Sequence, residues 1–99
     1  MEEYDKSVVE ELSSLYRASL EKRRKLVTEL SDRALDLIAE GTRNILDGCV
    51  PLSPRHLLRV ARHQKKLGKI ARKRTTHRKR KYILQKGGFL PALLAPLLG

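Results

Sequence analysis

The chain has 99 residues, of which 33% are charged, and a formal net charge of +11. A chain of this length supports one small domain with a thin hydrophobic core, and three Tyr, one Phe and no Trp are too few aromatic side chains to line a large catalytic cleft. The single cysteine, Cys49, excludes an intrachain disulfide and therefore a disulfide-stabilised secreted scaffold.

The charges are divided unevenly along the chain. All eleven acids lie between Glu2 and Asp47, so that residues 1–50, with eight Lys and Arg, carry a net charge of −3. Residues 51–99 carry fourteen Lys and Arg and no acid. Such a segment repels itself unless it lies against a polyanion, for which DNA and RNA are the most charge-dense candidates and anionic lipid the next.

Residues 1–48 are predicted to form an acidic, amphipathic helical region. The acidic N-terminus lacks the basic and apolar regions of a signal peptide, so we expect an intracellular or intraparticle location. We expect one long helix, or two with a break near residues 21–25 or near Gly41, and an apolar stripe that needs a partner surface. The apolar residues that recur at helical steps of three and four are Val8, Leu12, Leu15, Tyr16, Leu26, Leu30, Ala34, Leu37, Ile38 and Ile45.

Residues 49–53 are predicted to form a turn. Gly48 is suited to a helix C-cap, and Pro51 cannot continue a helix. Ser53 and Pro54 are typical of an N-cap and of the first position of a new helix.

Residues 54–86 are predicted to be a basic helical region, beginning with a helix over about 54–73. Six cations in it are spaced by 4, 3, 4, 3 and 4 residues and fall within an arc of about 80°. Leu57, Val60, Leu67 and Ala71 fall on the opposite side, where they would pack on the first helix. A break at Thr75 and Thr76 precedes a short third helix over 77–86, with Tyr82 and Ile83 as its apolar contacts.

The predicted fold is therefore an all-α helical hairpin whose second arm carries a basic ridge. We predict that the ridge and its extension bind nucleic acid through phosphates, with no motif for reading bases. The ridge residues are Arg55, Arg59, Arg62, Lys66, Lys69 and Lys73, and the extension residues are Arg72, Arg74, Arg78, Lys79, Arg80 and Lys81.

Residues 87–99 comprise Gly87, Gly88 and an uncharged tail with two prolines. The tail is too short to span a bilayer, which takes about 20 residues. Three roles stay open for it: contact with a membrane, packing in the core, or docking on a partner.

No enzymatic or metal chemistry is predicted. Cys49, His56, His63 and His77 are spaced by 7, 7 and 14 residues, which is unlike the close ligand pairs of a zinc site. We expect a buried thiol and solvent-facing imidazoles instead. The sequence has neither a recognisable nucleophile–His–Asp set nor a Gly-rich phosphate loop, so we expect no enzyme and no cofactor.

From about Asn44 onward the sequence resembles a family of viral proteins. Asn44–Ser53, the Lys/Arg-rich segment and the run Tyr82–Leu98, which contains Gly-Gly-Phe-Leu-Pro, are similar to small basic proteins of adintoviruses and related Polinton-type elements, virus-like DNA elements found in animal genomes. Those proteins are similar in turn to adenovirus core protein X, the precursor of mu. The resemblance covers roughly 55 of the 99 residues and does not extend to residues 1–43.

The resemblance implies a virion core protein that neutralises and condenses packaged double-stranded DNA, and so a location in the virion core and the host nucleus. It also implies proteolytic processing after the Gly87-Gly88 pair. The family's protease favours Leu, Ile or Met two positions before the first glycine, and Gln85 departs from that pattern.

Two alternatives from other functional classes stay open. The first is a membrane-active virion peptide that acts on anionic membranes through its C-terminal tail. The second is a helical adaptor whose basic half docks on an acidic protein. For the core protein, the N-terminal helix is a candidate surface for homo-oligomerisation or for contact with another virion protein.

Overall fold

Seven α-helices make up the structure. The computed structural model describes residues 6–86 and 88–98, which contain no β-strand. The helices are α1 (Lys6–Arg17), α2 (Leu20–Thr28), α3 (Asp32–Leu46), α4 (Pro54–Arg62), α5 (Gln64–Ala71), α6 (His77–Lys86) and α7 (Leu90–Leu98). The prediction of an all-α fold is confirmed.

The helices of the two halves of the chain pair in nested order. Helix α3 packs on α5, α2 packs on α6, and α1 packs on α7. Helix α4 lies at the middle of the sequence and contacts α5 and α7. Each of the three pairs therefore joins one helix of the acidic half to one helix of the basic half.

The acidic half contains three helices, and its breaks at residues 18–19 and 29–31 lie on either side of residues 21–25, where a break was predicted, rather than near Gly41. Helix α2 begins after Ser19, whose hydroxyl accepts a hydrogen bond from the backbone N–H of Lys22 at 3.4 Å. Helix α3 begins after Ser31, which accepts from the backbone N–H of Ala34 at 3.1 Å. A serine N-cap supplies an acceptor to the free N–H groups of a new helix, so these two serines define the helix starts. Gly41 lies inside α3 and is buried.

The predicted turn and the restarts that follow it are confirmed. Gly48 has a φ of +75°, and the N–H groups of Gly48 and Cys49 donate to the carbonyls of Ile45 and Asn44, which closes α3 with a Schellman motif. Ser53 caps α4 by accepting from the N–H of His56 at 3.3 Å. Thr76 caps α6 by accepting from the N–H of Lys79 at 3.1 Å.

The predicted helix over 54–73 is interrupted at His63. The N–H of His63 donates to the carbonyls of Val60 and Arg59, at 3.1 and 3.3 Å, and α5 begins at the next residue. The imidazole of His63 packs against the ring of Phe89, with 5.4 Å between the ring centroids. Because two helices replace one, the prediction of a single helix over 54–73 is wrong.

The uncharged tail forms α7 and is part of the hydrophobic core. Phe89, Leu90, Leu93 and Leu94 are buried together with the apolar faces of α1, α3 and α5. No helix in the described residues is long and apolar enough to cross a bilayer. Of the three roles left open for the tail, packing in the core is the one that the structure contains.

Candidate nucleic-acid interface

Eleven of the twelve predicted binding residues have side chains in contact with solvent. Ten are exposed, Lys81 is half-buried, and Arg80 is buried. Helix α4 carries three of the exposed cations, α5 carries two, and the remainder lie in the loop over 72–76 and on the first turn of α6.

Packing on α3 turns the lysines of α5 towards solvent. Leu67, Ile70 and Ala71 are buried, and α3 is the helix that α5 contacts most extensively. Lys66 and Lys69 lie on the opposite, exposed side. The amphipathic pattern that predicted this division is therefore correct for α5.

The pattern is only partly correct for α4. Leu57 was expected to pack on the first helix, yet its side chain is 54% exposed. Val60 is half-buried against α7, together with His63. Helix α4 contacts only α5 and α7 extensively among the described helices, and Leu57, Leu58 and Ala61 are exposed.

Arg80 must be removed from the predicted interface. Its side chain is 5% exposed, its Nε donates to the carbonyl of Ile70 at 2.9 Å, and one terminal nitrogen donates to the carbonyl of Arg72 at 2.7 Å. The other terminal nitrogen lies 3.8 Å from a carboxylate oxygen of Asp36. Burial lowers the pKa of Arg80, and the Asp36 carboxylate opposes that shift. The guanidinium thus neutralises the carbonyl end of α5.

Other cations are also occupied at helix C-termini. Arg23 donates to the carbonyls of Leu15 and Ala18 at the end of α1, at 3.2 and 2.9 Å. Arg43 donates to the carbonyl of Ala71 at 2.7 Å, beside the contacts of Arg80. A helix end exposes unpaired carbonyls, and a guanidinium satisfies several of them at once. Cation content therefore overstates the charge that is available to a ligand.

The fold places the basic helix α2 beside α6, although the sequence did not predict that α2 belongs to the interface. Lys81 donates to the carbonyl of Thr28 at 3.2 Å, and Gln85 donates to the carbonyl of Arg24 at 3.1 Å. The later residue of α6 contacts the earlier residue of α2, and the earlier residue of α6 contacts the later one. Helices α2 and α6 are therefore antiparallel neighbours. Among the exposed cations of α2, this arrangement brings Arg24 beside α6, whereas Lys22 and Lys25 line a groove on the α1 side of the helix.

The cluster over 21–25 was interpreted as a helix break because it interrupts the apolar stripe. Its position within α2 places it beside the equally basic α6, which no local pattern predicts. We call the exposed cations of α5, of the 72–76 loop and of α6, together with Arg24 of α2, the basic face. Its members are Lys65, Lys66, Lys69, Arg72, Lys73, Arg74, Arg78, Lys79, Lys86 and Arg24.

Tyr82 lies on the exposed side of α6 beside Lys86. The ammonium group of Lys86 donates to the Tyr82 hydroxyl at 2.7 Å and lies 4.5 Å from the ring centroid. This hydrogen bond and the charge of Lys86 lower the pKa of Tyr82. Tyr82 was expected to make an apolar contact, but its side chain is 56% exposed.

An acidic pair borders the basic face at the start of α6. The Nε2 of His77 lies 2.6 Å from a carboxylate oxygen of Asp36, and its Nδ1 lies 3.5 Å from one of Asp32. Both aspartates are on α3 and both have exposed carboxylates. The fold therefore joins the two halves of the chain electrostatically at this point.

The environments of the cysteine and the histidines differ from those expected. Cys49 is exposed rather than buried, and all three histidines are half-buried. His56 contacts the Ser53 hydroxyl at 2.9 Å through Nδ1. Across residues 6–86 and 88–98, no three His, Cys, Asp or Glu side chains gather into a group that is able to hold a metal ion.

The predicted processing site lies in the link between α6 and α7. Gly87 is outside the described residues, Gly88 is exposed, and Phe89 is buried. A protease that binds residues on both sides of the Gly88–Phe89 bond would have to displace Phe89 from the core.

The comparisons with known proteins identify no relative. No family model matches the chain, and neither does any curated protein or solved structure with which it was compared.

The dimensions of the molecule fit a short stretch of duplex. Its extents are 33 × 31 × 28 Å, and a duplex rises about 3.4 Å for each base pair, so one copy spans about 10 bp. That stretch carries about 20 phosphates, more than the basic face has cations. The arrangement is suited to charge neutralisation along a backbone, and Tyr82 is the exposed aromatic residue beside it within the described part of the chain.

Proposed function

We propose that this chain is a virus-like core protein that binds and condenses double-stranded DNA without sequence preference. The observation that carries the proposal is the basic face, which collects cations from α2, α5, α6 and the 72–76 loop. Cations that contact phosphates supply affinity without sequence information. The resemblance of residues 44–98 to adintovirus and Polinton-type core proteins supports the same proposal, as well as a location in the virion core and the host nucleus.

The proposed contacts use cations that the fold leaves unoccupied. Arg78 and Lys79 are exposed on α6, and Arg72, Lys73 and Arg74 are exposed in the loop before it. Arg80 lies within the same run but is bonded to backbone carbonyls. We therefore assign phosphate binding to the neighbours of Arg80 and a structural role to Arg80 itself.

A membrane role for the tail is less well supported. Leu90, Leu93 and Leu94 are buried in the core, so α7 would have to leave the protein before these side chains met lipid. DNA binding by the basic face requires no such rearrangement.

The proposal is tested by titrating random-sequence duplex with the protein at several salt concentrations, with RNA and anionic vesicles as competitors. If six to ten phosphates are neutralised, affinity should fall by about 10³- to 10⁵-fold between 50 and 200 mM salt. Compaction of long DNA at the same protein concentrations would support condensation. A complex that is insensitive to salt, or a stronger preference for vesicles, would contradict the proposal.

Paired variants separate specific phosphate contacts from net charge. Arg78→Gln with Lys79→Gln removes two charges from the basic face, whereas Lys6→Gln with Arg17→Gln removes two charges from α1. We expect the first pair to lower the salt slope by about 1.8, at about 0.9 for each lost contact, and the second to leave it nearly unchanged. Equal effects of the two pairs would mean that only total charge matters.

A further inference from the structure

Helix α4 has an apolar side that nothing in the structure covers. It is the only helix in the described residues with no buried residue, and Leu57 and Leu58 are 54% and 70% exposed. At about 100° per residue, Leu57, Leu58 and Ala61 lie within about 100° of one another. The helix attaches to α7 and α5 through other side chains, so this apolar arc faces solvent.

A basic arc lies directly beside the apolar one. Arg55, Arg59 and Arg62 fall within about 60° of one another on the same helix, and all three are exposed. A surface that fits α4 must therefore offer apolar groups with carboxylates at one side.

The chain itself contains a surface of that description. A groove between α1 and α2 has Leu26 and Leu30 at its floor and Glu10, Glu11 and Glu29 around it. Both carboxylate oxygens of Glu11 accept hydrogen bonds from Ser31, at 2.9 and 2.8 Å. Glu10 and Glu29 are exposed, and neither forms an ion pair with a cation of the described residues.

Three carboxylates around an apolar floor repel one another, and a guanidinium placed between them would relieve that repulsion. Glu29 also lines an adjoining groove together with Lys22 and Lys25, but it forms an ion pair with neither. Arginine matches this site well because its planar donors bind carboxylates in pairs while its stem covers apolar surface.

We propose that α4 of one copy docks in the α1–α2 groove of a second copy. Leu57 and Leu58 would cover Leu26 and Leu30, and arginines of α4 would pair with Glu10 and Glu29. The two surfaces are different patches of the same chain, so the contact is heterologous. Each added copy leaves one groove and one α4 free, and the assembly extends as a chain rather than closing as a dimer.

The contact is small, and the net charge of +11 opposes it in the free protein. DNA removes both obstacles, because phosphates neutralise the copies and hold them side by side at about millimolar effective concentration. The contact therefore takes effect as cooperative binding to DNA, and this part of the inference rests on the proposed function.

Duplexes of two lengths separate the proposed binding of DNA from the proposed docking of α4. A 12-bp duplex accommodates one copy of about 10 bp footprint and reports intrinsic affinity, whereas a 60-bp duplex accommodates several copies and reports cooperativity. Failure to bind the 12-bp duplex would contradict the proposed function. Binding to it with no cooperativity on the 60-bp duplex would contradict only the docking of α4.

The first variant removes the apolar contact without changing charge. We expect Leu57→Ser with Leu58→Ser to lower the affinity of neighbouring copies on 60-bp duplex by about tenfold, which corresponds to the loss of a few buried methylene groups. Affinity for the 12-bp duplex should not change. Leu20→Ser is the control, because Leu20 is as exposed as Leu57 but is not among the residues that line the α1–α2 groove.

Charge reversal supplies a complementation test. Glu10→Arg with Glu29→Arg repels α4 of other copies, and Arg55→Glu with Arg59→Glu is repelled by the native groove. We expect each double variant alone to bind 60-bp duplex without cooperativity and an equimolar mixture to recover it. A mixture that behaves like its components would overturn the proposal. So would loss of phosphatidylserine-vesicle binding, with cooperativity intact, in the serine variant, because α4 would then be a membrane-binding helix.

Discussion

Helices α7 and α4 are each nine residues long and show how poorly composition alone predicts burial. Helix α7 has no charge and two prolines, a composition that left membrane contact, core packing and docking all open, and Leu90, Leu93 and Leu94 are buried. Helix α4 has a clear amphipathic pattern, which suggested a packed helix, yet none of its residues is buried. The difference arises from the nested pairing, in which α7 has α1 as a partner whereas α4 is the connection between the two halves.

A buried charge provides the strongest test of this contrast. We expect Leu94→Asp to destabilise the protein by about 3–5 kcal/mol, the usual cost of an uncompensated buried charge. A typical domain is stabilised by about 5–15 kcal/mol, or about 0.1 kcal/mol per residue. The expected loss is therefore a large part of the total stability. Leu58→Asp places the same charge on the exposed arc of α4 and should change stability by less than about 0.5 kcal/mol. Urea unfolding followed by circular dichroism measures both, and equal effects would place α7 outside the core.

The two roles of cations within α6 provide the second test. Arg80→Ala removes a guanidinium from the carbonyls of Ile70 and Arg72, and we expect a loss of about 2–3 kcal/mol, because hydrogen bonds to charged groups contribute about 1.5–3 kcal/mol.

Lys79→Ala, one residue away and exposed, is the control for Arg80→Ala. It should leave stability within about 0.5 kcal/mol while weakening DNA binding. If Arg80→Ala weakened DNA binding without lowering the urea midpoint, the assignment of the two roles would be reversed.

The close approach of α7 to α3 provides a smaller test. A methyl group added at Gly41 would overlap a methyl carbon of Leu97, so we expect Gly41→Ala to cost about 1–3 kcal/mol. The cost should lie near the lower limit, because Leu97 borders a cavity into which its side chain is able to rotate. Gly68→Ala is the matched control. Nothing lies near its added methyl, and it should stabilise α5 by about 0.5–1 kcal/mol. Shifts of the thermal unfolding midpoint in opposite directions for the two variants would confirm the contact between Gly41 and Leu97.

The helix caps provide the smallest and most local test. Ser31→Ala and Ser53→Ala remove the N-caps of α3 and α4, each worth about 1 kcal/mol, and the first also removes the hydrogen bond from the Ser31 hydroxyl to Glu11. Because α3 is part of the core, the first should lower global stability. The second should speed amide exchange in α4 alone, since that helix has few buried contacts and is able to open locally. Hydrogen exchange measured by residue distinguishes the outcomes, and a global effect of Ser53→Ala would mean that α4 is integral to the core.

Local signals predicted the features that depend on a few neighbouring residues. Gly48, Ser53 and Thr76 act as the caps that their residue types indicate, and α6 has the predicted bounds. The all-α fold follows from the helical period of the apolar residues. In each case the physical cause lies within one or two helical turns.

Tertiary contacts decided what the sequence did not predict. His63 interrupts the basic helix where its ring meets Phe89, a residue 26 positions later. Arg80 is bonded to α5 and Asp36 rather than being free, and Arg24 joins the basic face because α2 lies beside α6. A pattern of charge along a chain cannot distinguish a cation that caps a distant helix from one that faces solvent.

The nested pairing also has a consequence for the order of folding. Closing a loop costs more entropy as the loop lengthens, so α3 and α5, which are nearest in sequence, should meet first. Their contact brings α2 beside α6, and that contact in turn brings α1 beside α7. The pairs therefore form in order from the middle of the chain towards its ends. During synthesis the acidic half leaves the ribosome before any of its partner helices exists. The protein should therefore acquire its structure only as the basic half emerges, with α7 the last helix to dock.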